Sequence, residues 1–124
     1  EFMQVDLERL LPLGIEKVDS TEFDFRKLKQ ISNLFIDHAF KADADLPPRV
    51  RLINESKLGV ELEFDESTKW IQVHTADREG KEDARMAVAI EPMSCPPDAF
   101  NSGLDLITLA PNERHSFSLK IKQI

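Results

Sequence analysis

Glu91 closes a run in which Met86, Val88 and Ile90 alternate with Ala87, Ala89 and Glu91 itself. Period-two alternation is the mark of a half-buried strand, so the two alanines and the carboxylate share one face. Small side chains beside a carboxylate leave room for another molecule to approach, and Pro92, which has no N–H, is expected to end regular pairing there. A carboxylate at a strand end on a cleared face is suited to act as a general base. The same pattern also fits a solvent-facing Glu at a strand terminus.

A second group lies in Trp70-Ile-Gln-Val-His-Thr75. Trp70, Gln72 and His74 fall on one face, Ile71 and Val73 on the other. An aromatic plate next to hydrogen-bonding groups is what the C–H face and hydroxyls of a sugar require. The alternative is an exposed strand face with one half-buried Trp. In Asp37-His38, acid and imidazole are adjacent, and on a strand adjacent residues point to opposite faces. The pair is therefore read as a loop Asp capping nearby N–H groups beside an exposed His. His38, His74 and His115 show no short metal-ligand spacing, so no metal is expected. Cys95 is the single cysteine, which excludes an intrachain disulfide and a cysteine-rich zinc site and fits a reducing, cytoplasmic setting. Four glycines form no phosphate cradle.

The elements that must hold these residues are short strands. Alternation marks 58–64, 69–76, 86–91 and 114–122, with shorter candidates at 50–53 and 104–109. Pro47-Pro48, the polar turn 65–69, the charged loop 77–83, the proline-bearing loop 92–103 and the turn 111–113 separate them. Residues 47–124 thus read as antiparallel strands. Residues 1–46 read as loop-rich, with one helical stretch over 25–35 where Leu28, Ile31, Leu34 and Phe35 share a helical spacing. Many short strands with frequent turns predict an all-β, antiparallel β-sandwich, and 124 residues suffice for one domain, 1–124. The net charge of −7 argues against binding to a nucleic-acid backbone. No apolar run approaches the roughly 20 residues of a membrane span, and the mixed, acidic start does not read as a secretory signal.

Read in order, the chain resembles the aldose 1-epimerase (galactose mutarotase) family. The similar elements are Leu11-Pro-Leu-Gly14, Thr21-Glu-Phe-Asp-Phe-Arg26, Ile36-Asp-His-Ala-Phe40, Ile71-Gln-Val-His-Thr75, Ala89-Ile-Glu-Pro92 with Pro97-Asp-Ala-Phe-Asn101, and Leu109-Ala-Pro-Asn-Glu113. Each is short, and six in the right order are specific. The resemblance implies part of the large antiparallel β-sandwich of that family (the galactose mutarotase-like supersandwich), with this chain as its C-terminal portion. It implies interconversion of the α and β anomers of free aldoses such as galactose or glucose, without metal or organic cofactor. By the same resemblance Glu91 matches the base at the C1 hydroxyl, Asp37 the acid that binds sugar hydroxyls, and Gln72 a sugar-contacting Gln. The His that protonates the ring oxygen, a second His and an Arg would lie upstream. The isolated chain is therefore expected to be inactive and to associate with itself through uncovered sheet edges. His74 stands where the family has Tyr, and Glu22 where it has Pro. Two other functions compete with this one: a non-catalytic carbohydrate-binding β-sandwich module, and an epimerase acting on a phosphorylated sugar. The latter would need Arg26, Arg49 or Arg51 near the phosphate.

Overall fold

The computed structural model describes residues 1–78 and 80–124; the expected charged loop 77–83 therefore includes one residue, Glu79, outside the described ones. Among the described residues there are eight strands and one short helix: β1 Phe2–Val5, β2 Pro12–Glu16, β3 Asp37–Lys41, β4 Arg49–Ile53, β5 Gly59–Phe64, β6 Trp70–His74, β7 Ala89–Met93, α1 Ala99–Ser102 and β8 Leu119–Gln123. The chain is all-β with antiparallel pairing, in keeping with the β-sandwich class. It divides into two compact units, Glu1–Lys41 with Ile71–Glu91, and Ala42–Trp70 with Pro92–Ile124.

The first unit carries most of a five-stranded sheet of order β2-β1-β3-β6-β7. Here the loop-rich reading of 1–46 is corrected, since β1, β2 and β3 all lie within it. β1 gives no alternating signal because Phe2, Met3 and Val5 are all buried, as happens when both faces of a strand are covered. β2 begins at Pro12 and contains Gly14, residues depleted from strands. It lies at the sheet edge, where a missing N–H is tolerated.

The helix expected over 25–35 does not form. Phe23 and Phe25 turn instead onto a cluster of rings. Phe2 and Phe23 lie 4.8 Å apart between centroids, Phe23 and His38 4.5 Å, and Phe25 and Phe40 5.9 Å. Such ring pairs are worth about 0.5–1.5 kcal/mol each beyond area burial, more than the small propensity differences that favour a short helix.

The second unit contains a three-stranded sheet of order β4-β5-β8. β5 is central, and its expected faces are present: Leu62 opposes Val50 and Ile121, while Glu61 opposes Arg51 and Lys122. Glu61 is buried and is matched by ion pairs to Arg51 and Lys122. The Arg51 hydrogen bond leads in holding its carboxyl below the usual range.

The strand expected at 104–109 is absent. Asp105 takes a left-handed backbone (φ 50°) and its carboxylate accepts the Trp70 indole N–H at 2.8 Å, which diverts the segment from strand pairing. β8 starts later than expected because the Ser118 N–H donates to the Asp65 carboxylate rather than to a ladder. That carboxyl is lowered to about 2, chiefly by the Ser67 hydroxyl. Among the described residues, no helix is long and apolar enough to cross a membrane.

Candidate functional site

Three adjacent strands of the first unit's sheet carry the expected site residues: Asp37 begins β3, Gln72 is central in β6, and Glu91 is central in β7. The end of the β3–β6 pairing is fixed by Thr75. Its N–H donates to the Ile36 carbonyl at 2.9 Å, and the Ile36 N–H donates back to the Thr75 hydroxyl oxygen at 3.0 Å. The Thr75 hydroxyl also donates to Asp77, whose carboxylate is held by Arg85. Arg85 in turn donates to the carbonyls of Ser32 and Leu34. Burial alone would raise the Asp77 carboxyl, but the Thr75 and Arg85 hydrogen bonds and the Arg85 charge outweigh it and lower it. This brace joins the loop after β6 to the segment before β3. No short motif announced it, because Asp77 reads as part of the charged loop 77–83 and Arg85 follows just beyond it.

Asp37 and Gln72 are brought together: Gln72 Nε2 donates to Asp37 Oδ1 at 2.7 Å. His74 joins them, with Nδ1 3.7 Å from Asp37 Oδ2. Gln72 Oε1 and His74 Nδ1 are both buried and have no hydrogen-bond partner among the described residues. Orphaned buried polar atoms are rare and call for an explanation. Glu91 lies on the strand next to Gln72's and is exposed. The expected strand 86–91 is shifted to Ala89–Met93, so Ala89 shares it while Ala87 does not, and Pro92 sits inside the strand instead of ending it. β7 is last in the sheet order, where proline's missing donor is harmless.

Two expectations for this region are overturned. Trp70 is 0% exposed, and its ring cannot serve as a stacking plate on the Gln72 face. His38 is not exposed on a loop; it lies within β3 at 5% exposure, packed on the rings of Phe2 and Phe23. Its Nδ1 accepts the Asp37 N–H at 3.1 Å, which only the neutral ring can do. Burial pushes its imidazole below the ordinary 6.5, against the pull of the Asp37 charge.

The sign for stability follows. Below the ordinary value the unfolded chain takes up a proton that the folded chain refuses, so stability falls as pH falls through the window between the two values. Melting temperatures from about pH 7.5 to about pH 5 should decline, and His38→Gln should flatten that decline. Parallel slopes for the two proteins would count against the assignment.

Two of the three arginines considered for a phosphate are engaged elsewhere: Arg26 pairs with Asp19 and Asp24, and Arg51 with Glu61. A concavity of about 350 Å³ in the second unit is lined by Ser67, Thr68, Met93, Cys95, His115 and Phe117 among others, and by none of the three expected site residues.

The sequence matches the aldose 1-epimerase family over residues 1–122. It is 36% identical over 114 residues to the uncharacterized protein YihR of Escherichia coli (strain K12), covering 92% of this chain and 35% of that relative. The chain thus spans about a third of the length of the curated relative it matches. No solved structure matches.

Proposed function

The chain belongs to the aldose 1-epimerase family, and on that premise we propose that the full-length polypeptide carrying it interconverts the α and β anomers of a free aldohexose, with Glu91 as the base. Glu91 takes the proton of the C1 hydroxyl while an acid protonates the ring oxygen. The bond from C1 to that oxygen breaks, C1 becomes an aldehyde, the C1–C2 bond rotates, and the reverse steps close the ring on the other face. By the resemblance the acid is a His outside these 124 residues. Asp37 and Gln72 hold sugar hydroxyls.

The observation that best supports this reading is the 2.7 Å bond joining Asp37 to Gln72 on the two strands that precede Glu91's in the sheet. The residues are far apart in sequence, yet they gather on neighbouring strands, with Gln72 Oε1 and His74 Nδ1 left without a hydrogen-bond partner among the described residues. The binding-module alternative loses support, because Trp70 offers no aromatic plate.

Polarimetry on freshly dissolved α-glucose and α-galactose tests the reading: a full-length polypeptide that does not accelerate mutarotation would sink it. In the active protein Asp37→Asn should raise KM at least as much as it lowers kcat, because its role is binding in ground and transition states alike. A variant with kcat reduced at unchanged KM would instead assign Asp37 to the chemical step.

We also propose that the 124-residue chain on its own associates with itself. The edge strands β2 and β8 leave apolar side chains in water, Leu13 at 63% and Ile121 at 64% exposure, and uncovered edges invite pairing. Light scattering should report a dimer; a clean monomer at high concentration would refute this.

A further inference from the structure

The Asp37 carboxylate faces two neighbours, and only one bond is accounted for. Oδ1 accepts from Gln72. Oδ2 faces His74 Nδ1 at 3.7 Å, and that nitrogen is buried with no hydrogen-bond partner among the described residues. A lone pair on Nδ1 would lie against a negative oxygen where solvent is largely excluded, and would be repelled. A proton there is attracted instead. The neutral ring that satisfies this carries its hydrogen on Nδ1 and its lone pair on Nε2. The His74 side chain is 36% exposed; since Nδ1 is buried, that exposure falls on the rest of the ring. Asp77, on the loop after β6, also feels a charge on His74, but Thr75 and Arg85 already engage it. The titratable group of the neighbouring β7 is Glu91.

We propose that Asp37 fixes His74 with its hydrogen on Nδ1, and that His74 Nε2 accepts a hydrogen bond from a hydroxyl of the bound aldohexose, making His74 a specificity-determining contact. The inference rests on the reading of Asp37, Gln72 and Glu91 as a sugar site. It adds a residue that the resemblance does not assign. It also gives the cluster a consistent chemistry: Asp37 Oδ2, Gln72 Oε1 and His74 Nε2 are all acceptors, so the matching ligand edge is one of O–H donors.

The test uses the full-length polypeptide with ¹⁵N-labelled histidine and two substitutions that separate the ring nitrogens. His74→Asn keeps a donor near the Nδ1 position and removes Nε2. His74→Gln places an amide near the Nε2 position and removes the donor to Asp37. The ring should show the Nδ1–H tautomer, and its Nε2 resonance should move on titration with glucose or galactose. His74→Asn should raise KM about three- to tenfold, the size of one lost neutral hydrogen bond, and His74→Gln should raise it less. An Nε2–H tautomer, or an Nε2 signal unmoved at saturating sugar, overturns the inference. So does greater damage from His74→Gln than from His74→Asn, which would make His74 only a brace for Asp37. Wild-type protein that fails to accelerate mutarotation would defeat the base assignment instead, and the Nε2 titration would still decide this one.

Discussion

Replacing Glu91 by Gln in the full-length polypeptide will lower kcat for mutarotation by about 10²–10⁴-fold, the usual contribution of a positioned general base, or about 3–5.5 kcal/mol of barrier. The amide keeps the size and hydrogen-bonding reach of the carboxylate and loses only the basic oxygen. Glu91 is exposed on an edge strand, so the fold should hardly notice; surface changes of this kind usually stay within about 0.5 kcal/mol. Sugar affinity should change little, because Asp37 and Gln72 remain bonded to one another and available to hydroxyls. The informative comparison sets Glu91→Gln beside Asp37→Asn, the first a loss in kcat and the second mainly a loss in KM, with melting temperatures for both. Should Glu91→Gln keep more than about a tenth of wild-type kcat, the loss expected for a base is missing and Glu91 is not that base.

How far such a site can be read from sequence depends on whether its signal is local. In β5 the alternation of Val60, Leu62 and Phe64 with Glu61 and Glu63 is carried by neighbours in the chain, and the pairing with β4 and β8 follows it residue by residue. β1 and β2 were not legible for the opposite reason. Phe2 and Met3 are both buried, so Gln4 alone breaks an apolar run and no alternation shows, and Pro12 with Gly14 disguises an edge strand. Trp70 looked like a surface plate because nothing near it in sequence takes its N–H. Its partner is Asp105, 35 residues on, in a segment whose apolar residues imitate a strand. Alternation locates strands well, but here it says less about which face meets water. Glu61 is buried between Arg51 and Lys122, while Ile121, on the apolar face, is largely exposed.

For the candidate site itself the residue types were legible and one relation was not. The resemblance singles out Asp37, Gln72 and Glu91, and the sheet order sets their strands side by side. That His74 turns Nδ1 toward Asp37 depends on the pairing of β3 with β6 and on Thr75, which ends it through paired bonds to Ile36. No spacing rule could supply that contact, since the two residues meet only when the sheet forms.

The 124-residue chain on its own should accelerate mutarotation at least about 10²-fold less per mole than the full-length polypeptide. Ring opening needs a proton on the ring oxygen as the C1 hydroxyl loses one, and a positioned acid is worth about 10²–10⁴-fold; lost positioning of the sugar adds to the deficit. None of the chain's histidines has the surroundings of that acid. His38 is buried among phenylalanine rings and kept neutral, its Nδ1 occupied by a backbone N–H. His115 is exposed and lines the concavity that holds none of the three expected site residues. In the tautomer proposed above, His74 turns a hydrogen on Nδ1 toward Asp37, 3.7 Å away, and its other nitrogen accepts rather than donates, which suits a hydroxyl and not a ring oxygen awaiting a proton. Polarimetry on equal molar amounts of the two proteins gives the answer. Activity of the short chain within about tenfold of the long one would mean that the acid lies inside these residues. His74→Asn in the short chain would then identify it, since abolition of that activity would move His74 from a contact for the sugar to the proton donor itself.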